Sequence, residues 1–148
     1  METKTIKNQL GYFLEHVSSL LVKQLDQVLL EQLGIGYAQF KVLRIVADND
    51  SLGQKQIAEE LGQTEASISR QIRLLKNNGL ISLRIDPTNR RQHITRLTTR
   101  GYRFTTAADT ILGQYQHQIF SSLKTKDQSI LSQALERVQH SYFKKNMV

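Results

Sequence analysis

Apolar residues recur along this chain with a helical spacing over most of its length and a strand spacing over one short central stretch. From Thr5 to about Gln32, Ile6, Leu10, Phe13, Leu14, Val17, Leu20, Leu21, Leu25, Val28 and Leu29 return every three or four residues with no intervening proline. That is one long amphipathic helix, roughly 40 Å at 1.5 Å per residue. Gly34 and Gly36 break it. Tyr37 to Ala47 predicts a shorter helix with Phe40, Leu43, Ile45 and Val46 available to a core, and DNDSLG (48–53) reads as a turn.

The stretch from Gln54 to Leu97 carries the densest pattern. Ile57, Ala58 and Leu61 form a short amphipathic helix that stops at Gly62. Thr64 to Gly79 (TEASISRQIRLLKNNG) predicts a second helix, opening on an N-cap residue type and closing on a common C′ residue. Ile68, Ile72 and Leu75 fall at i, i+4 and i+7 and share its buried face, while Thr64, Ser67, Ser69, Arg70 and Arg73 lie mostly off that stripe. Next, Ile81, Leu83 and Ile85 alternate with Ser82, Arg84 and Asp86, the period of a half-buried strand. DPTNRR is a turn holding the chain's only proline, Pro87, and QHITRL reads as the return strand. Two helices joined at a glycine turn and followed by a hairpin make a winged helix-turn-helix, with Arg90 and Arg91 at the tip of a two-stranded β wing.

Beyond the hairpin, Thr98 caps a second long helix carrying Tyr102, Phe104, Ala108, Ile111, Leu112, Tyr115, Ile119, Phe120 and Leu123. Thr125 starts a last helix, with Gln128 in capping-box position and a stripe of Ile130, Leu131, Ala134, Leu135, Val138, Tyr142 and Phe143. The expected fold is therefore mainly α. Three amphipathic helices outside the winged core suggest a helical dimerisation platform, and a monomeric bundle is the competing arrangement.

Composition narrows the function. The 148 residues are 39% apolar and 22% charged, which suits an ordinary folded domain. The absence of cysteine excludes disulfides, thiolate nucleophiles and cysteine metal sites, and suits a reducing compartment. No apolar run approaches the roughly 20 residues that span a bilayer, and METKTIKNQL lacks a signal-peptide core, so the expected location is the cytoplasm. The net charge is +7. Between Ser67 and Phe104 stand Arg70, Arg73, Lys76, Arg84, Arg90, Arg91, Arg96, Arg100 and Arg103 against a single acid, Asp86. A basic excess centred on the helix-turn-helix and hairpin has the distribution of a nucleic-acid footprint rather than of a merely solvated face.

These motifs together resemble the MarR family of winged helix-turn-helix regulators. The resemblance rests on the helix-turn-helix, GLI, a hairpin with DPTNRR at its tip, and LTTRG where the next helix begins. Asp86, Arg90, Arg91, Leu97, Thr98 and Gly101 occupy the family's D-x-x-D-R-R and L-T-x-x-G positions. Asn89 stands where an aspartate is usual, and Thr95 where an aliphatic residue is usual. The likeness covers nearly the whole chain and implies a single MarR-like domain over 1–148. Residues 37–97 would be the DNA-binding part, and 1–33 with 98–148 the helical dimerisation part.

On that reading the partners are double-stranded DNA and a second copy of the chain. Two recognition helices about 34–36 Å apart would read a palindrome in successive major grooves. Ser67, Ser69 and Arg70 are the expected contacts to bases or adjacent phosphates, and Arg73 a contact to the backbone. Thr64 serves as a cap alone or as a DNA contact as well; the sequence leaves both open. The resemblance implies that Arg91 enters the minor groove and Arg90 rests on phosphate, with the reverse assignment also open. It further implies a small phenolic or aromatic effector held between platform and winged part. Tyr12, Phe13, His16, Tyr37 and Phe40 supply aromatic surface there, although aromatic residues at helical spacing also make plain core.

Enzymatic readings find no support. There is no cysteine, no G-x-S-x-G and no phosphate-cradling glycine loop, and His16, His93, His117 and His140 are scattered without a metal-binding spacing. No metal or cofactor is expected. The reading is a DNA-binding transcriptional regulator, more readily a repressor, released by an effector. A nonspecific architectural DNA-binding protein and a winged-helix module for protein partners are the alternatives.

Overall fold

The computed structural model describes residues 2–49 and 51–146, with side chains from Gln9 onward except at 143, 145 and 146. Ile6 and Phe143 of the expected stripes, and Asp50 of the expected turn, lie outside the described residues or side chains. The order is α1 (Glu2–Leu33), α2 (Tyr37–Asp48), β1 (Leu52–Gly53), α3 (Gln54–Leu61), α4 (Glu65–Asn77), β2 (Ile81–Ile85), β3 (His93–Leu97), α5 (Thr99–Phe120) and α6 (Thr125–Asn146). By internal contacts the chain divides into two compact units, Met1–Leu112 and Gly113–Val148.

The first unit holds the winged fold. Val42, Leu43 and Val46 of α2, Ile57 and Ala58 of α3, Ile68, Ile72 and Leu75 of α4, and Leu80 and Ile81 close one buried cluster. Each such side chain contributes about 1.5–3 kcal/mol relative to exposure, so the three-layered stripe of α4 alone holds that helix firmly against its neighbours. Gly62 ends α3 in the left-handed region at φ +61, and Gly79 does the same after α4 at φ +69, the conformation in which a Cβ is penalised.

Among its described side chains, the long helix α1 is covered near its C-terminal end only. Leu25 and Leu29 are buried, whereas Leu10, Tyr12, Phe13, Leu14, Val17 and Leu20 are exposed, Phe13 at 65%. Its junction with α2 is specific. Asp26 Oδ1 accepts the Tyr37 N–H at 2.7 Å, so a carboxylate of one helix caps the positive end of the next.

Three expectations need correction. The two-stranded wing of β2 and β3 gains a third strand in the order β1-β3-β2: Leu52 pairs with Thr95 and Gly53 with Ile94, so the end of the expected DNDSLG turn is a short edge strand. Ile85 is 61% exposed, because the hairpin runs out past the core that covers Ile81 and Leu83. Gln128 does not close a capping box. Its amide donates to the Phe120 and Leu123 carbonyls at 3.0 Å each, tying the second unit's helix end to α6. Within that unit, Ile130, Leu131, Leu135 and Val138 of α6 are all exposed. Among the described residues, no helix is long and apolar enough to cross a membrane.

Candidate nucleic-acid interface

Helix α4 presents its functional side chains because its own start is well capped. Thr64 Oγ1 accepts the Ser67 N–H at 3.2 Å, which satisfies one of the free donors of the first turn. Around an axis that turns about 100° per residue, Arg70 lies opposite the buried stripe. Ser67 stands on one flank of it and Ser69 on the other, about 160° apart. The two serines expected as contacts therefore flank Arg70 rather than adjoin each other. Arg70 and Arg73 are exposed, and Ser67 and Ser69 are half-buried. Thr64 is exposed beside its cap bond, so capping and contact are compatible.

Ser67 is already engaged. Its hydroxyl donates to Gln63 Oε1 at 3.2 Å, and Gln63 is a residue that sequence reasoning passed over. Its only signal was position, a glutamine just before an N-cap.

The wing turn is built on side chain–backbone bonds. Asp86 Oδ1 accepts from the Thr88 hydroxyl at 2.7 Å and from the Thr88 N–H at 2.8 Å, while Asn89 Oδ1 accepts the Arg91 N–H at 3.2 Å. The Thr88 hydroxyl, then the Thr88 and Asn89 amides, hold the Asp86 carboxyl below the usual carboxylate range, although slight burial opposes them. Asn89, in the usual aspartate position, thus spends its oxygen on the backbone as an Asx turn and brings no charge to the tip. Arg90 and Arg91 are both exposed. A cleft of about 590 Å³ runs between the wing and the starts of α3 and α4, lined among others by Lys55, Glu65, Asp86, Arg91 and His93. Arg91 and the first turn of α4 therefore border one hollow.

The aromatic residues fall into two groups. Tyr12 and His16 stack on exposed α1 with ring centroids 6.2 Å apart, and Phe13 beside them borders an open hollow of about 490 Å³ with Gln9, Leu10 and Tyr12. Tyr37 and Phe40 stack at 6.0 Å in α2, where Phe40 is buried and Lys41 Nζ lies 5.5 Å from the Tyr37 ring centre. Burial pushes the Tyr37 phenol up from its ordinary value.

A family model described as the MarR family matches residues 33–92, from the end of α1 to the wing. The transcriptional regulator HosA of Escherichia coli O111:H- is 23% identical over 103 residues, 70% of this chain and 76% of HosA. Among solved structures, the S. aureus MepR–DNA complex superposes with a TM-score of 0.78 at 26% identity, covering 88% of this chain and 96% of MepR. The transcriptional repressor CouR, bound to a 23-mer DNA duplex, gives 0.81 at 24% identity, covering 90% of this chain and 94% of CouR. HosA and CouR are transcriptional regulators, not enzymes. Motifs, fold and likenesses agree: residues 33–92 match the MarR family model, and over most of its length the chain resembles winged helix-turn-helix transcriptional regulators of that family.

Proposed function

We propose that this regulator binds a palindromic operator as a homodimer and represses transcription by occupying the promoter. The observation that carries the reading is exposure of the basic side chains: the capped α4 leaves Arg70 and Arg73 open to solvent, and the wing tip does the same with Arg90 and Arg91. Residues 37–97 then make the DNA-binding part. Arg70 and the Ser67 flank meet base edges, Ser69 and Arg73 lie along the backbone, and Arg90 and Arg91 divide phosphate and minor groove between them. That the relatives MepR and CouR were solved on DNA supports the same use of the fold.

Residues 1–33 and 98–148 make the pairing part of the single domain. The exposed apolar stripe of α1 and that of α6 support it, since each is more contiguous than a lone surface hydrophobe needs to be. A small aromatic effector in the cytoplasm fits the exposed Tyr12–Phe13–His16 surface, where it would shift the spacing of the two recognition helices.

Selection of a random duplex library by the purified protein at moderate salt tests the proposal. Enrichment of a palindrome with half-sites about one helical turn apart is the expected result. Binding without enrichment would replace the reading by a nonspecific architectural protein, and no binding by a protein-interaction module.

A further inference from the structure

At the entrance to α4 the side chain of Gln63 lies over the helix's first turn, its Oε1 accepting the Ser67 hydroxyl proton at 3.2 Å. Ser67 is thereby committed twice, its N–H to Thr64 Oγ1 and its hydroxyl to Gln63. The hydroxyl proton that a base acceptor would take is already placed. The amide is placed as well. Its oxygen and nitrogen diverge from one carbon, so an oxygen turned onto Ser67 leaves the NH2 group outside that bond. That group carries two donors, and no hydrogen bond among the described residues uses either.

The consequence is chemical. A free glutamine reads adenine with both ends of its amide, accepting from N6 and donating to N7. A glutamine whose oxygen faces its own helix cannot make that pair and is left as a donor. The major-groove acceptors that distinguish bases for such a donor are guanine O6 and N7 and thymine O4. Gln63 also stands where a recognition helix is most informative, at its N-terminal end and on the same flank as Ser67.

We propose that Gln63, held by Ser67, is a base-reading residue with a preference for guanine or thymine in each half-site, and that Ser67 is its positioning residue. The inference rests on α4 entering the major groove and adds a reader which that reading did not contain.

The test is the same random-library selection, run in parallel with Gln63→Glu, Gln63→Met, Ser67→Ala and Ser67→Thr. The native protein should enrich guanine or thymine at one half-site position. Gln63→Glu, which replaces the donor by an acceptor, should move that position toward cytosine or adenine. Gln63→Met should flatten it, with discrimination falling about three- to tenfold, the worth of one hydrogen bond. Ser67→Ala frees the amide oxygen and should admit adenine at that position alone, while Ser67→Thr restores the native preference. An unchanged preference in Gln63→Glu and Gln63→Met overturns the proposal while leaving the DNA-binding reading intact. So does a uniform loss of affinity at every sequence. No enrichment by the native protein would instead refute the DNA-binding reading itself.

Discussion

The first turn of α5 passes so close to Leu80 that a Cβ built on Gly101 would stand 1.9 Å from the Leu80 carbonyl oxygen. Thr98 fastens the same crossing. Its hydroxyl donates to the Gly79 carbonyl at 2.7 Å and accepts the Gly101 N–H at 2.9 Å, and its own N–H reaches the Leu80 carbonyl at 3.1 Å. The L-T-x-x-G motif is therefore the clasp between the end of α4 and the helix after the wing. Gly101→Ala should destabilise the protein by at least about 2 kcal/mol, because the clash is with backbone that cannot rotate away. Gly113→Ala, in the same helix with nothing within 4 Å of the added carbon, should instead stabilise by about 0.5–1 kcal/mol. Urea unfolding of the two variants checks both signs.

Thr95 is fully buried in the central strand, and its Oγ1 has no hydrogen-bond partner among the described residues. A buried hydroxyl without a partner costs free energy, and valine has nearly the same shape. Thr95→Val should raise stability by about 1 kcal/mol, seen as a higher urea midpoint with an unchanged slope. A lower midpoint would mean that the hydroxyl has a partner in solution.

The wing turn should respond to acid. The Thr88 hydroxyl, before any other group, holds the folded Asp86 carboxyl below 3.8. A depressed acid contributes order that is complete above its unfolded value and is lost as pH falls through the folded one. The Thr88 amide resonance should therefore titrate with a midpoint below 3.8, and Thr88→Val should move the midpoint upward. A midpoint at or above the ordinary value would remove the Asp86–Thr88 bonds from the account.

Removing the wing arginine should be read through salt. If Arg91 neutralises one phosphate, Arg91→Ala lowers the salt dependence of operator binding by about 0.9 in log–log slope and weakens binding across sequences. A loss confined to operators with A·T-rich flanks would instead assign Arg91 to the minor groove and Arg90 to phosphate. Unchanged affinity would take Arg91 out of the interface.

Much of this was legible in the chain because the signals are local. The Ile68–Ile72–Leu75 stripe and the Thr64 and Gly79 caps define α4 without reference to anything distant, and all held. What was not legible depends on remote geometry. β1 is two residues long and exists only because β3 offers backbone partners more than forty positions later. The alternation through Ile85 marks a face, but says nothing of how far a hairpin outruns its core. Gln128 matches a capping box by spacing, yet the previous helix's open carbonyls, nearer in space, take its amide. The same holds at the candidate interface. Arg70, Arg73, Arg90 and Arg91 could be named from charge and position, whereas the Gln63–Ser67 bond depends on the path of the turn between α3 and α4.

The central claim is that two copies of α4 read one operator in fixed register, and rotation tests it directly. Once a palindrome has been selected, inserting about five base pairs between its half-sites turns them half a helical turn apart without altering either one. The account predicts that affinity for this duplex falls to the level of random DNA, and that a further five base pairs, which restore the face, do more for binding than the first five. Affinity unchanged by the half-turn insertion would contradict it, because each winged unit would then be binding on its own.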